Sequence, residues 1–281
     1  MNINHFGTLY VVATPIGNLQ DMSLRAVSTL KSVDCIAAED TRHSAPLLQH
    51  FMIQTPSVSL HEHNERERTA YLLERLQQGE SIALISDAGT PLINDPGYFL
   101  VREARMLGIR VVPIPGASAV IAALSVSGLP TDTFCYEGFL PAKSKQRRER
   151  LEKLRLETRT LVFFEAPHRV LESLEAMQAV FGEAREAVLA RELTKLYETI
   201  LSDTLKALVD RVRADPNQTR GEIVLIVKGA KAEEMDENAL SMDAVLVPLL
   251  AELPLKQAVE LTAKITGKRK NEIYERALIL K

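Results

Sequence analysis

Short apolar runs alternate with stretches of helical periodicity over the first 125 residues. The runs lack the alternating polar residues of a half-exposed strand, so they predict strands covered on both faces, as in a parallel sheet. We predict these strands at residues 8–13, 35–38, 57–60, 82–85 and 110–114. Helical spacing is clearest over residues 65–78, and Gly79 ends that helix. The pattern predicts an α/β domain.

Polar or turn-forming residues follow each of these predicted strands. Because the carboxyl ends of parallel strands lie at one edge of a sheet, the loops that follow them should border a single crevice. These loops are residues 14–21, 39–43, 61–64, 86–97 and 113–118. Ligands of open α/β sheets bind at this edge, so the sequence places the functional site there.

The loop at residues 86–97 has the composition of a ligand-binding loop. Its glycines and prolines exclude a helix before about residue 98 and leave backbone groups that a flat ligand can approach closely. No lysine follows Gly89, so this is not a Walker loop, and we expect a nucleoside rather than a polyphosphate. The alternative is an ordinary strand-to-helix turn in which Asp87 or Asp95 caps the helix.

The second half of the chain repeats the alternation of apolar runs and helical spacing. Strands are predicted at residues 134–137, 160–164, 187–190 and 222–227, with helices at about 144–156, 168–181 and 204–213. The segment 127–130 has the composition of a hinge between domains. The expected fold class is therefore α/β, with two α/β domains and a ligand cleft between them.

The predicted domain boundaries follow from these elements. The first α/β domain spans residues 1–125, the second spans 126–230, and a small helical extension spans 239–281. The charged segment 229–238 is interpreted as a linker. Within the extension, two helices on either side of Gly267 resemble a helix–turn–helix.

Composition and charge narrow the class of protein. Of the 281 residues, 46% are hydrophobic and 25% are charged, which is ordinary for a globular protein. No apolar run is long enough to cross a membrane, and the N-terminus lacks the pattern of a signal peptide, so we expect a cytoplasmic protein with no membrane partner. Cys35 and Cys135 show no paired spacing, as expected for buried residues in a reducing compartment. The net charge of −3 does not itself indicate a polyanion partner.

Five ordered motifs at predicted strand ends together resemble the tetrapyrrole methylase family. They are residues 12–19 (VATPIGNL), 38–42 (AEDTR), 86–91 (SDAGTP), 113–118 (PIPGAS) and 164–169 (FEAPHR). The resemblance covers residues 8–230, and the extension is similar to that of the branch that methylates a cytidine ribose 2′-hydroxyl of small-subunit ribosomal RNA. It implies a homodimeric methyltransferase with S-adenosylmethionine (S-adenosyl-L-methionine) bound in the cleft between two α/β domains.

The resemblance also implies which residues hold the cofactor. The loop 87–90 would hold the methionine and ribose portions, and the second domain would close over them. The residues assigned to the cofactor are Pro15, Asp87, Ala88, Gly89, Thr90, Ser118, Ala119, Phe164, Leu193 and Ile223. Many family members carry a glycine-rich first loop, whereas residues 14–18 of this chain read TPIGN. This difference argues against a tetrapyrrole substrate.

Methyl transfer from a sulfonium is an in-line displacement, in which a base or a cation near the weakly acidic ribose hydroxyl should help. The residues predicted to be catalytic are Glu39, Asp40, Arg42 and Glu165. Each also has a structural interpretation, because residues 39–42 could form a strand-end ion pair and Glu165 could cap a helix and pair with Arg169. His61 and His63 are too few ligands for a metal site, so no metal is predicted.

A markedly basic segment begins beside Pro141 and predicts contact with RNA phosphates. The residues predicted to bind RNA are Lys143, Lys145, Arg147, Arg148 and Arg150. The alternative is a solvated helix face with Arg–Glu pairs at helical spacing, although the segment has too few acids to balance its bases. A second basic patch, Lys264 with residues 268–270, is open to the same two interpretations.

Three functional hypotheses follow. The first is methylation of small-subunit ribosomal RNA within the 30S subunit, and the basic patches favour it. The second is a small-molecule methyltransferase that acts on a tetrapyrrole-like acid. The third is a ribosome-assembly factor that binds S-adenosylmethionine or a nucleotide without catalysis, and the many polar strand ends at one edge favour an enzyme over it.

Overall fold

The computed structural model describes residues 6–231 and 242–280. The strands of its first sheet are β1 (Thr8–Val12), β2 (Cys35–Ala38), β3 (Ser57–Ser59), β4 (Ile82–Ile85) and β5 (Arg110–Ile114). All of them pair in parallel, in the order β3-β2-β4-β1-β5. The predicted parallel sheet is confirmed, and the carboxyl ends of its strands lie at one edge.

The helices of this half are α1 (Leu24–Ser32), α2 (Thr41–His50), α3 (Glu65–Gln77), α4 (Tyr98–Met106) and α5 (Ala119–Ser127). Adjacent strand residues enter two different cores, as strands covered on both faces require. Ile85 packs with α1 and α2, whereas Leu84 packs with α3 and α4. The apolar pattern does not predict α2, which begins with polar residues, contains Pro46 and is capped by the Asp40 side chain.

The second sheet is mixed, with strands in the order β6-β7-β10-β8-β9. These strands are β6 (Phe134–Phe139), β7 (Thr160–Glu165), β8 (Glu186–Arg191), β9 (Thr199–Thr204) and β10 (Ile223–Val227). The pair β6–β7 is parallel, and the pairs of β10 with β7 and β8 and of β8 with β9 are antiparallel. The sequence pattern does not predict β9, because this edge strand alternates partly buried and exposed residues instead of forming an apolar run.

Helices cover both faces of the second sheet. On one face lie α6 (Ser144–Leu154), α7 (Val170–Phe181) and α8 (Leu205–Ala214). The other face packs against α5, whose Val120, Ala123 and Leu124 share a core with Val162 and Val224. The last helix of the first half thus belongs to the core of the second sheet, and the boundary predicted between residues 125 and 126 falls inside it.

Among the described residues, three helices follow the second sheet, within the predicted helical extension. They are α9 (Met242–Glu252), α10 (Leu255–Thr266) and α11 (Lys270–Leu280). They share a small core that includes Leu246, Val259 and Ile273. Beyond Lys231, the predicted linker 229–238 lies outside the described residues. No helix in the described ranges is both long and apolar enough to cross a membrane.

Candidate active site

A cavity of about 400 Å³ lies between the two sheets. Loops of the first half and the ends of β7, β8 and β10 line it together. The structure brings the following residues from the predicted cofactor set to its wall: Ala88, Ala119, Phe164, Leu193 and Ile223. Pro15, Asp87, Gly89 and Ser118 are adjacent in sequence to lining residues, and Thr90 follows Gly89. Two of the five predicted strand-end loops, 14–21 and 86–97, therefore reach this cavity, whereas residues 39–43, 61–64 and 113–118 do not line it.

Hydrogen bonds hold three of these loops to one another. The backbone amide of Thr14 donates to the carbonyl of Gly89 at 2.8 Å, and the amide of Gly89 donates back at 3.0 Å. The Thr14 hydroxyl donates to the carbonyl of Ser86 at 3.3 Å, and the Thr90 hydroxyl donates to the carbonyl of Ala117 at 3.0 Å. These bonds fix the loop backbone at the cavity.

Acidic side chains gather where β2 and β4 end. The amide of Asp40 donates to the Asp87 carboxylate at 3.2 Å, and the amide of Asp87 donates to the Glu39 carboxylate at 3.3 Å. Burial raises the pKa of Glu39. Burial also raises the pKa of Asp95 to about 6, and the charges of Glu39 and Asp87 raise it further, against a hydrogen bond from Ser86.

Asp40 and Arg42 pair with each other at the surface. Their side chains are joined at 2.8 Å and are 36% and 88% exposed. Hydrogen bonds from Arg42 lower the pKa of Asp40 to about 2. This geometry is that of the strand-end ion pair described as the alternative above, and neither residue borders the cavity. A catalytic role for Glu39, Asp40 and Arg42 stays a prediction.

Glu165 borders the cavity, but its side chain is fully buried in a network of hydrogen bonds. It accepts from the amide of Ala166 at 2.7 Å, from Arg169 at 2.9 Å and from the hydroxyl of Ser173. These donors join the end of β7 to the following 3-10 helix, Pro167–Arg169, and to α7. Glu165 therefore holds these three elements together, and its catalytic role stays a prediction.

A strained turn after β8 places Lys195 against the first loop. Glu192 and Thr194 have φ angles of +52° and +67°, which non-glycine residues rarely adopt. Lys195 bonds to the carboxylates of Glu192 and Glu222, each at 2.9 Å. Its stem lies on Gly17, where a Cβ atom would sit 2.4 Å from the Lys195 Cγ. The glycine of the first loop therefore makes room for this lysine.

The predicted RNA-binding residues differ in exposure. Lys143, Lys145, Arg148 and Arg150 are exposed at or near α6. Arg147 departs from the prediction, because its side chain is 5% exposed and bonds to Glu172 at 2.9 Å, so it has no surface to offer a phosphate. Arg148 and Arg150 face the carboxylates of Glu152 and Glu137, as the solvated-face alternative expects.

Two side chains that sequence reasoning did not assign to the site border it or lie beside it. Asp95, discussed only as a helix cap, lines the cavity. Tyr136 packs its ring against Phe164 with centroids 5.1 Å apart, and its buried hydroxyl has no partner. The position of Asp95 in the loop 86–97 could have indicated that it belongs to the site, whereas Tyr136 lies in a predicted strand and nothing in the sequence indicated it.

The rings of His61 and His63 are 6.1 Å apart, and the described residues contain no metal-binding group of three or more His, Cys, Asp or Glu.

Comparison with known proteins identifies a matching family and similar full-length sequences. The family model of the tetrapyrrole (corrin/porphyrin) methylases matches residues 8–209, and the model of the RsmI C-terminal HTH domain matches residues 236–281. Proteins named ribosomal RNA small subunit methyltransferase I are similar over nearly their whole length. The one from Pseudomonas aeruginosa is 60% identical over 97% of both chains. The one from Escherichia coli O157:H7 is 57% identical over 98% of this chain and 96% of its own.

Solved structures share the fold at low identity. Diphthine synthase superposes with a TM-score of 0.59 at 16% identity, over 79% of this chain and 90% of its own. The uroporphyrin-III C-methyl transferase of Thermus thermophilus, complexed with S-adenyl homocysteine, gives 0.55 at 17% identity, over 79% of this chain and 97% of its own.

Proposed function

Since the chain belongs to the tetrapyrrole methylase family, we propose that it is an S-adenosylmethionine-dependent methyltransferase that modifies the ribose 2′-hydroxyl of a cytidine in small-subunit ribosomal RNA. The observation that carries the proposal is the cavity between the sheets, lined by residues from both domains. Near-full-length relatives named for methylation of small-subunit ribosomal RNA support the substrate class.

The cavity fits S-adenosylmethionine in size and chemistry. Its volume of about 400 Å³ lies in the range of small-molecule sites. Ile16, Phe164 and Leu193 provide apolar surface for the adenine, and the carboxylate of Asp95 provides negative charge for the sulfonium group. When bound, S-adenosylmethionine supplies an electrophilic methyl group.

The chain's own contribution to the reaction is alignment and exclusion of water. The bridge between Thr14 and Gly89 fixes two loops, and α5 joins them to the second sheet. A cavity with walls from both halves would hold the ribose oxygen in line with the methyl carbon of bound S-adenosylmethionine, and such positioning supplies about 7–11 kcal/mol of barrier reduction in favourable cases. No metal is needed for this chemistry.

The RNA is proposed to lie across the exposed cations near α6. Lys143, Lys145 and Arg148 are exposed and can contact phosphates, whereas we leave Arg147 out because its guanidinium is bonded inside the fold. The 30S subunit is the proposed form of the substrate, and the cytoplasm the proposed location. The basic turn of the extension, residues 268–270, offers a second contact.

A homodimer is also part of the proposal. Leu196 and Tyr197, which follow the strained turn, are 88% and 69% exposed. Large apolar side chains at this exposure favour burial against another protein surface. The groove beside them is lined by residues of both halves, including Leu19, Phe51 and Leu196.

One labelling experiment tests the enzyme and its substrate class. The protein is incubated with methyl-labelled S-adenosylmethionine and, separately, with free small-subunit ribosomal RNA, with 30S particles and with a precorrin. Label on a cytidine ribose in the RNA or the particles supports the proposal. Label on the precorrin, or on nothing while S-adenosylmethionine still binds, would replace it by the second or third hypothesis.

A further inference from the structure

The carboxyl groups at the cavity differ in how many hydrogen bonds and ion pairs they already form. Among the described residues, those that line it are Asp95, Glu165 and Glu222. Glu165 is saturated by donors, and Glu222 is 72% exposed and paired with Lys195. Asp95 is partly buried and forms no ion pair with a cation of the described residues. Its hydrogen-bond donor is the Ser86 hydroxyl, which also lies 3.3 Å from the carbonyl of Ala88. Because this hydroxyl has a single proton, the two acceptors compete for it.

The loop that carries Asp95 is held in a fixed and unusual conformation. Leu92 and Asn94 have φ angles of +74° and +72°. Farther along, the buried carboxylate of Glu65 accepts from the amides of Gly97 and Phe99, each at 2.9 Å. Such strain persists only where the surrounding structure imposes it, and it is common at catalytic sites.

The second domain places a complementary donor close by. The hydroxyl of Tyr136 on β6 is buried and has no hydrogen-bond partner in the part of the chain that the structure describes, and a buried polar atom without a partner is costly in a native structure. Burial raises the pKa of Tyr136 to about 12, and the negative charge of Asp95 adds to the shift. Tyr136 therefore keeps its proton, and its ring packs against Phe164, which lines the cavity, so a hydroxyl donor is available close to the site.

On these grounds we propose that Asp95 is the general base that accepts the proton of the ribose 2′-hydroxyl, with Tyr136 as a neutral donor beside it. The inference rests on the proposed function. The ribose oxygen forms a bond to the methyl carbon, the carbon–sulfur electron pair goes to sulfur, and the hydroxyl proton goes to the Asp95 carboxylate. The products are the methyl ether, neutral S-adenosylhomocysteine and a protonated Asp95.

The charged surroundings of Asp95 set the expected pH dependence. Glu39, Asp87 and Ser86 face it from the first domain, and Tyr136 faces it from the second. In the free enzyme its pKa is about 6, so kcat/KM should rise as the pH increases through about 6 and then level off. The sulfonium cation favours the charged carboxylate, so kcat should reach its plateau at a lower pH than kcat/KM.

The test compares Asp95→Asn with Asp34→Asn. Asp34 lies before β2, at the opposite edge of the same sheet, and accepts from the amide of Ser81 at 2.7 Å. The amide oxygen of asparagine can keep that bond, so this variant serves as a matched control. Transfer of labelled methyl groups to 30S particles is measured from pH 5 to 9. We expect Asp95→Asn to lower kcat by about 10²-fold or more and to remove the limb near pH 6.

Two further measurements do not depend on turnover. The affinity for S-adenosylhomocysteine, which lacks the sulfonium charge, should be the same in Asp95→Asn and the wild type. Carbon-13 spectra of the ligand-free wild type should show an aspartate carboxyl that titrates near pH 6 and is missing in Asp95→Asn. The role of Asp95 is overturned, while the proposed function stands, if Asp95→Asn methylates at the wild-type rate and keeps the acidic limb of the pH profile. The same holds if the Asp95 carboxyl of the wild type titrates near pH 4. A wild type that methylates neither RNA nor 30S particles overturns both.

Discussion

The buried carboxylate of Glu65 is expected to hold the loop 90–97 in place, and its removal gives a sharp test. Glu65 is 7% exposed, and its Oε1 accepts from the amides of Gly97 and Phe99. These amides lie at the start of α4, whose cap residue is a glycine without a side chain to satisfy them. In Glu65→Ala, two amides lose a charged acceptor.

The magnitude follows from the number and kind of bonds. A hydrogen bond to a charged group contributes about 1.5–3 kcal/mol, and the two amides share one oxygen, so we expect a loss of about 3 kcal/mol. The matched control is Glu67→Ala, an exposed glutamate in the same first turn of α3, which should cost at most about 1 kcal/mol through the helix dipole.

Hydrogen exchange provides the local measurement, because a chain with two sheets need not unfold in one step. A loss of about 3 kcal/mol should speed exchange of the Gly97 and Phe99 amides by about 10²-fold, with strands of the second sheet unaffected. Glu65→Ala should also raise KM for S-adenosylmethionine, because the same loop carries Asp95. Protection of both amides equal to that in Glu67→Ala would refute the role given to the Glu65 carboxylate.

Three other outcomes are expected. The pKa of Asp95 is raised from 3.8 to about 6, so the folded state retains a proton that the unfolded state loses, and stability falls as the pH rises between these values. Asp95→Asn should therefore have a higher melting temperature than the wild type at pH 8 and the same melting temperature at pH 3. Equal melting temperatures at pH 8 would contradict the burial of the Asp95 charge. Lys145→Gln with Arg148→Gln should reduce the salt slope of 30S binding by about 2, whereas Lys31→Gln on α1 should not, and an unchanged slope would remove this surface from the interface. Leu196→Asp should shift the protein to monomers in sedimentation analysis, and a persistent dimer would place the interface elsewhere.

The parallel sheet and its crevice could be predicted because fully buried strands have a simple signature. Ile82 to Ile85 is apolar throughout, and Gly89 and Pro91 break the chain immediately afterwards. The edge strand Thr199–Thr204 has no such run, and α2 depends on the cap that Asp40 provides. Local pattern therefore finds the central strands and misses elements that tertiary contacts complete.

The sequence predicted two of the loops at the site, 14–21 and 86–97, and was less informative about individual side chains. Five cofactor residues assigned through resemblance line the cavity. The burial of Arg147 could not be predicted from the basic residues around it in the sequence, because its partner Glu172 lies on another helix. Similarly, nothing in the sequence near Tyr136 indicates that its hydroxyl is buried without a partner. Such features depend on the packing of segments that are distant in the chain.

The position of α5 has a consequence for the order in which the protein forms. This helix ends the first half of the chain, yet its apolar residues complete the core of the second sheet. During synthesis it leaves the ribosome before β6 to β10, so the later strands condense onto a helix that already exists. Until they arrive, this helix exposes an apolar surface, and a nascent chain from which only residues up to about 130 have left the ribosome should be the species most in need of a chaperone.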